Sequence, residues 1–452
     1  MNTVERDRAD APFSPTQPPA AVTFAEAVRY WFWLGFVSFG GPAGQIALMH
    51  QDLVDRRRWI SEGRFLHALN FCMLLPGPEA TQLAIYIGWL MHRTWGGIVA
   101  GLLFVLPGFL VLVGLSWLYL RFGSVPLVAA LFYGIKPAVV AIVLAAAWRI
   151  GSRTLTNRWL VLLALGALAA ISIFNIGFPW VVLCAAAIGA LGARFAPDSF
   201  SQAGGHASAA KAPLGAALIG DDTPTPAHAR FTAGKLLASS AIGIAITLAG
   251  LMLLALLAGA QSPLTQIGNF FTKAALLTFG GAYAVLPYVY QAAVETHAWL
   301  TPAQMMDGLA LGETTPGPLI MIVAFIGFIG GAGSQASFAG GFIGASVATF
   351  FTFLPSFIFI LAGAPVVEST RGKLGLTAPL TAISAAVVGV IVSLALFFAI
   401  HVFHWDKPPA SWDVTAMALA AAACACLMRF KLGPVQVISL CAAAGLVLSY
   451  LR

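Results

Sequence analysis

The chain has 452 residues, of which 59% are hydrophobic and only 9% charged, with a formal net charge of +7. A soluble domain carries roughly 25% charged residues, and beyond about 250 residues a single core stops absorbing apolar side chains. An ordinary cytosolic enzyme is therefore excluded, and the apolar excess must face lipid.

Residues 1–22 contain Arg6, Asp7, Arg8 and a run of prolines but no apolar core or small-residue cleavage site, so a disordered tail is expected there, not a signal peptide. A first transmembrane repeat is expected over 23–195, where Thr94 to Leu120 and Trp159 to Ala193 carry no Asp, Glu, Lys or Arg. A polar linker follows over 196–232, rich in Ser, Gly, Pro and His and including Ser199 to Gly205 and Asp221 to Pro226. The second repeat is expected over 233–452, with uncharged stretches from Leu236 to Thr272 and from Thr314 to Val367. A bilayer core of about 30 Å takes about 20 residues of helix, so the longer stretches hold two spans each. None alternates with period 2 as a membrane barrel would. The fold class is an all-α polytopic membrane protein.

The halves align by eye. At an offset of 240 residues Phe39-Gly40-Gly41 meets Phe279-Gly280-Gly281, Trp59 meets Trp299, and Pro76-Gly77-Pro78 meets Pro316-Gly317-Pro318. An eight-residue insertion moves the offset to 248, where Leu106-Pro107 meets Leu354-Pro355. Charge then bears on their orientation. Arg56, Arg57 and Arg58 correspond to Thr296, His297 and Ala298, while Arg371 and Lys373 fall opposite a loop with only Arg121. If basic residues mark the cytoplasmic face, equivalent loops lie on opposite faces and the repeats are inverted. With the N-terminus, the Arg56 loop, the Arg149 loop, the linker and the Arg371 loop all cytoplasmic, parity requires broken or re-entrant helices at Phe-Gly-Gly and Pro-Gly-Pro.

Proline favours the first turn of a helix, so each Pro-Gly-Pro starts a new helix whose first N–H groups have no intrahelical acceptor. Such an end suits an anion, and two of them in inverted repeats meet near the midplane; the plainer reading is a packing kink. The candidate substrate-binding set is Gly40, Gly41, Pro76, Gly77, Pro78, Glu79, Thr81, Gln82, Lys136, Gly280, Gly281, Glu313, Thr315, Pro316, Gly317 and Pro318. Glu79 and Glu313 are acids flanked by apolar sequence, where proton coupling and helix capping both stand open. Lys136, beside Pro137, and Lys273 either balance an oxyanion or snorkel. Arg56 to Arg58 with Arg64 read as a topogenic loop, and Trp31, Trp33, Trp89 and Trp95 as interfacial anchors. The five cysteines read as small buried residues, with no metal site and no cofactor expected. No HExxH, GxSxG or GxxxxGK[ST] motif is present, so neither an enzyme nor an ATP-driven pump is expected. Energy for transport has to come from an ion gradient or the membrane potential, worth about 4.6 kcal/mol per 100 mV for a dianion.

Phe36-Val-Ser-Phe39-Gly-Gly-Pro42, Leu74-Leu-Pro-Gly-Pro-Glu79-Ala-Thr-Gln82, Val105-Leu-Pro-Gly108, Gly134-Ile-Lys-Pro-Ala-Val-Val140 and Gly312-Glu-Thr-Thr-Pro-Gly-Pro318 together resemble the chromate ion transporter family in its long two-domain form. The resemblance runs from about Thr23 to Arg452 and implies export of chromate across the bacterial inner membrane, with chromate resistance as the outcome. The implied partners are a small inorganic oxyanion (chromate or sulfate) and the lipid bilayer, with homo-oligomerisation open and no nucleic acid. Ala282 stands where the first half has Pro42, and Leu319 where it has Glu79, so the halves are not expected to act equivalently.

Overall fold

The computed structural model describes residues 19–39, 41–123, 125–174, 176–195, 216–224, 226–279, 281–333, 336–369 and 377–451. Gly40, Gly280, Arg371, Lys373, the tail up to residue 18 and the linker from 196 to 215 lie outside the described residues.

In the first repeat α1 (Phe24–Val37) and α2 (Gly41–His50) flank the Phe-Gly-Gly break, and α3 (Glu62–Leu74) and α4 (Glu79–Phe122) flank Pro-Gly-Pro. Then come α5 (Pro126–Thr154), α6 (Arg158–Ser172) and α7 (Phe178–Phe195). After the linker, α8 (Ala233–Ala258) precedes a second series: α9 (Pro263–Leu277), α10 (Ala282–Tyr290), α11 (Pro302–Thr314), α12 (Ile322–Ala332), α13 (Phe338–Ser369), α14 (Thr377–Phe403), α15 (Val414–Met428) and α16 (Pro434–Leu451). Among the described residues, six helices are long and apolar enough to cross a membrane: α4, α5, α7, α8, α13 and most of α14.

The two series match in local detail. Ser61 caps α3 and Thr301 caps α11 through their hydroxyls, each accepting the N–H three residues on. α2 and α10 both widen into a π turn, at Gln51–Arg56 and Gln291–Thr296. α3 and α11 have 13 residues each, about 20 Å of helix, so neither crosses a core of about 30 Å. The chain enters, breaks at Pro-Gly-Pro and turns back.

α4 is a hairpin in its own right, because the backbone leaves helical geometry at His92 and Arg93. Its limbs close on small residues: a Cβ on Gly88 would lie 2.5 Å from the Gly96 carbonyl and 2.6 Å from Ala100. α12 and α13 repeat this contact with Gly327, Gly344 and Ala348. Helices in lipid gain no hydrophobic drive toward one another, so such close backbone approach supplies the attraction.

The second limb of α4 and its equivalent, α13, pack antiparallel. Trp117 meets Phe338 and Phe109 meets Phe342, while Gly101 faces Phe357 and Gly97 faces Leu361. Equivalent helices running in opposite directions make the repeats inverted. The means is α8, a lipid-facing helix that packs antiparallel to α13 through Gly243 on Ile358 and Gly250 on Phe351. Its crossing delivers the second series to the opposite face. On the first face the linker docks against the first repeat: Leu218 N–H donates to the Arg58 carbonyl at 2.9 Å and Ile219 N–H to that of Trp59 at 3.1 Å. His92 bonds the Val22 carbonyl on the same face.

Several expectations are corrected by burial. Trp31 and Trp89 are core residues, so of the four tryptophans only Trp33 and Trp95 are exposed as interfacial anchors. Arg58 and Arg64 are buried, not loop charges. Arg64 donates to Glu368 at 3.2 Å with both side chains 1% exposed, and Glu368 also accepts from Tyr86. Pro137 lies inside continuous α5 and does not break it. Cys184 is exposed and Cys424 and Cys426 are half-buried, whereas Cys72 and Cys441 are buried.

Cysteines introduced as Arg57→Cys and His297→Cys, in the equivalent loops of the two repeats, should react with an impermeant thiol reagent from opposite sides of sealed vesicles. Labelling of both from one side would contradict the inversion.

Candidate functional site

The prolines at 76 and 78 carry no N–H, so Gly77, itself buried, supplies the only backbone donor of its tripeptide. That donor bonds the carbonyl of Thr278 at 2.8 Å. Gly317, between Pro316 and Pro318, donates in the same way to the carbonyl of Ser38, also at 2.8 Å. Ser38 and Thr278 are the C-caps of α1 and α9, where helix carbonyls lack intrahelical partners. Each repeat thus supplies the acceptor that the other's break requires.

Glycine is required at both centres, since φ is +124° at Gly77 and +97° at Gly317. Space is equally tight. A Cβ on Gly77 would sit 2.5 Å from Ser356 Oγ, and one on Gly108, the equivalent of Ser356, would sit 2.5 Å from the Pro316 carbonyl.

Polar side chains gather at this crossing. Gln45 Nε2 donates to the Gly317 carbonyl at 2.6 Å, and Gln82 Nε2 donates to the Pro76 carbonyl at 2.8 Å. Ser38, Gln45, Thr81, Gln82, Thr278 and Ser356 are fully buried. The hydroxyls of Ser38 and Thr81 have no hydrogen-bond partner among the described residues. A buried hydroxyl left unpaired is unfavourable in a native fold; Ser38 stands at the other break, bonded through its carbonyl to Gly317, and Thr81 in the first turn of α4. Its first-turn N–H groups point back toward Pro-Gly-Pro, since the intrahelical ladder opens only with Gln82 N–H on the Pro78 carbonyl at 3.0 Å. Donors without acceptors at a positive helix end are chemistry suited to an anion, and the amide oxygens of Gln45 and Gln82 stand unpaired in the same cluster.

The bonds just described join Gly77 of the first Pro-Gly-Pro to Thr278 of the second repeat, and Gly317 of the second Pro-Gly-Pro to Ser38 and Gln45 of the first; Gln82 adds a bond to Ser356 at 3.4 Å. Glu79 opens α4, half-buried, with no hydrogen bond or ion pair among the described residues. Glu313, near the end of α11, accepts from Tyr283 Oη at 2.6 Å. Thr315 turns its hydroxyl onto the Gly312 carbonyl at 3.0 Å. Gly41 starts α2 and Gly281 caps α10, both at positive φ. Lys136 is engaged elsewhere: its Nζ lies 3.6 Å from Asp307 Oδ1, and Tyr119 Oη donates to the other carboxylate oxygen at 2.8 Å. Lys273 is exposed, on a polar recess of about 430 Å³ shared with His297.

A family model described as chromate transporter matches residues 25–190 and 265–446, two segments whose starts are separated by the offset of the duplication. The chain belongs to the chromate transporter family. It is 31% identical over 430 residues to a chromate transport protein of Cupriavidus metallidurans, covering 94% of this chain and 93% of that protein. To a chromate transport protein of Pseudomonas aeruginosa it is 34% identical over 384 residues, covering 84% and 82%. An uncharacterised transporter of Methanocaldococcus jannaschii is 26% identical over 388 residues, 85% of each chain. No solved structure matches this chain.

Sequence reasoning missed Ser38, Thr278, Gln45 and Ser356. For the first pair a signal existed, a hydroxyl residue just before Phe-Gly-Gly in both halves at the same offset. Gln45 and Ser356 have Val285 and Gly108 as counterparts, so the repeat could not flag them. Gly77→Ala should destabilise the protein by about 1–3 kcal/mol, the cost of a non-glycine residue held in this backbone region, and should abolish transport. Gly166→Ala, with open space around its Cβ, should leave the thermal midpoint unchanged or raised. Equal midpoints for wild type and Gly77→Ala would contradict the tight crossing.

Proposed function

We propose that this protein carries chromate through the Pro-Gly-Pro crossing, exporting it across the bacterial inner membrane and so conferring chromate resistance. The observation that carries this reading is the pair of buried, unpaired hydroxyls at the two breaks, Thr81 in the first turn of α4 and Ser38 at the cap that accepts from Gly317, in a chain whose relatives are named chromate transport proteins. Chromate is a tetrahedral dianion, and the Ser38 and Thr81 hydroxyls and the first N–H groups of α4 offer it neutral donors, while the Gln82 amide N–H groups are held by the Pro76 carbonyl and Ser356 Oγ. Such neutral donors suit a dianion that must also leave, because they hold it without a fixed countercharge. Glu79, without a partner, is the group we assign to proton linkage. The driving force is then the membrane potential, an imposed proton gradient, or both; an interior-negative potential alone expels a dianion.

The neutral polar residues of the crossing, Ser38, Gln45, Thr81, Gln82, Thr278 and Ser356, have no access to solvent, and Glu79 beside them is half-buried. Transport requires the repeats to separate alternately at the two faces. The Arg64–Glu368 pair with the docked linker holds one face, and Tyr119–Asp307–Lys136 holds the other. The two closures occupy equivalent places: Asp307 corresponds to His67, which bonds the Val367 carbonyl at 3.0 Å, and Val367 corresponds to Tyr119.

Sulfate shares the shape and charge of chromate, and uptake or exchange of sulfate is the second reading, favoured by donors that read a tetrahedral oxyanion and not its central atom. Radiolabelled chromate flux in proteoliposomes, with an imposed potential or pH gradient and sulfate as competitor, separates the two. Export of chromate against weak sulfate competition supports the proposal, and sulfate flux exceeding chromate flux overturns it. In the same assay Glu79→Gln should flatten the pH dependence of flux. A pH profile identical to wild type would remove Glu79 from the mechanism.

A further inference from the structure

The duplication allows each backbone feature to be compared with its copy, and one comparison is anomalous. Where α4 reverses, Arg93 has φ 58° and ψ −158°. Where the second repeat reverses, Gly333 has φ 59° and ψ −165°. The two positions are equivalent at the 240-residue offset. Only glycine adopts this region without steric cost, and a non-glycine residue persists there when the surroundings impose it, commonly at a functional site. The second repeat uses the residue that the turn asks for; the first keeps an arginine.

Arg93 is exposed and has no acidic partner among the described residues. It lies on the rim of a groove of about 920 Å³ between residues 21–24, the reversal of α4 and the docked linker. The walls are apolar, with Phe24, Leu90, Met91 and Val99, and none of the residues lining the groove is acidic. Trp95, two residues beyond Arg93, is 72% exposed, and exposed Leu102, Leu106 and Leu110 continue down the limb toward the membrane interior. The polar linker meets the same turn, where His228 bonds the Trp89 carbonyl at 3.1 Å. The groove therefore opens at the boundary between lipid and water, on the face that the positive-inside rule makes cytoplasmic. Burial pushes the His228 imidazole down from its ordinary value, which leaves Arg93, with nearby Lys235, to supply the positive charge. Glu368, the acid that acts on His228, is neutralised by Arg64, and Glu26, near lining residue Phe24, is bonded to Thr23.

We propose that this groove binds an anionic phospholipid of the cytoplasmic leaflet, its phosphate on the Arg93 guanidinium and its acyl chains along Trp95, Val99 and the apolar wall below. A basic group beside apolar wall and an interfacial tryptophan match a phosphodiester bearing acyl chains. A free oxyanion would have no use for the apolar wall. The bound lipid spans α4, the N-terminal residues and the linker, and so ties the first repeat to the linker that docks on it.

The test uses the full-length protein in detergent, titrated with phosphatidylglycerol or phosphatidylcholine, with the thermal midpoint and native mass spectrometry as readouts. Phosphatidylglycerol should raise the midpoint of wild type and Arg93→Lys, and phosphatidylcholine should not. Arg93→Gly relieves the backbone and should fold at least as well, yet bind phosphatidylglycerol about fivefold more weakly, the factor expected from losing one cation at an anionic surface. Arg93→Gln, which keeps the strained turn and removes the charge, should weaken binding equally and carries the test if the glycine variant misfolds. The proposal is overturned if the charge-removing variants respond to phosphatidylglycerol as wild type does, if the two lipids stabilise alike, or if inorganic phosphate reproduces the effect.

Discussion

A peptide N–H in the middle of a bilayer has no water to bond, and a chain that breaks its helices there must find acceptors within itself. In this protein the requirement is met by exchange: Gly77 donates to the cap carbonyl of Thr278, and Gly317 donates to that of Ser38. Two orphaned donors meet two orphaned acceptors, in each case across the boundary between repeats. The rest of the architecture follows from this pair of bonds. Neither repeat satisfies its own backbone, so the halves must be inverted and interlocked, and α8 must cross the membrane to present the second series from the other side. The glycine contacts within α4 and between α12 and α13 then bring the re-entrant limbs close enough for the exchange.

The exchange is symmetric in backbone and asymmetric in side chain. Gln45, Glu79, Gln82 and Ser356 stand at positions whose equivalents are Val285, Leu319, Ile322 and Gly108. Duplication gave the crossing its shape, and divergence gave it one set of polar groups, so a single asymmetric anion site fits it better than two equal ones. The same divergence separates the two faces. One is held by a buried Arg64–Glu368 pair, with the linker adding a bond from Arg64 to the Thr223 carbonyl at 3.2 Å; the other is held by a carboxylate between a phenol and a lysine. A buried ion pair is weak evidence for stability, and its place here, joining α3 to the far end of α13, suits a contact that must open.

Much of this was legible in the sequence, because the features concerned depend on local chemistry. Pro-Gly-Pro cannot continue a helix in any context, Phe-Gly-Gly recurs at a fixed offset, and unequal loop charge gives orientation. What could not be read depends on which neighbour lies across a helix. Hydropathy treats lipid-facing and protein-facing apolar residues alike, so buried Trp31 and Trp89 looked the same as exposed Trp33 and Trp95. Arg64 sits eight residues from Arg56 and has the loop's composition around it, but its partner is 304 residues away. Lys136 reads as an isolated base in apolar sequence; its counter-charge, Asp307, belongs to the other repeat, and no spacing within either half links them.

The central claim is that the reciprocal crossing is the anion site, and the groups that carry it are backbone amides, which hydrogen–deuterium exchange reads directly. Chromate, added at the same ionic strength as a chloride control, should slow exchange across residues 77–82 and 317–322 while leaving α6 and α7 unchanged. Equal exchange across both Pro-Gly-Pro segments with and without chromate would contradict the account.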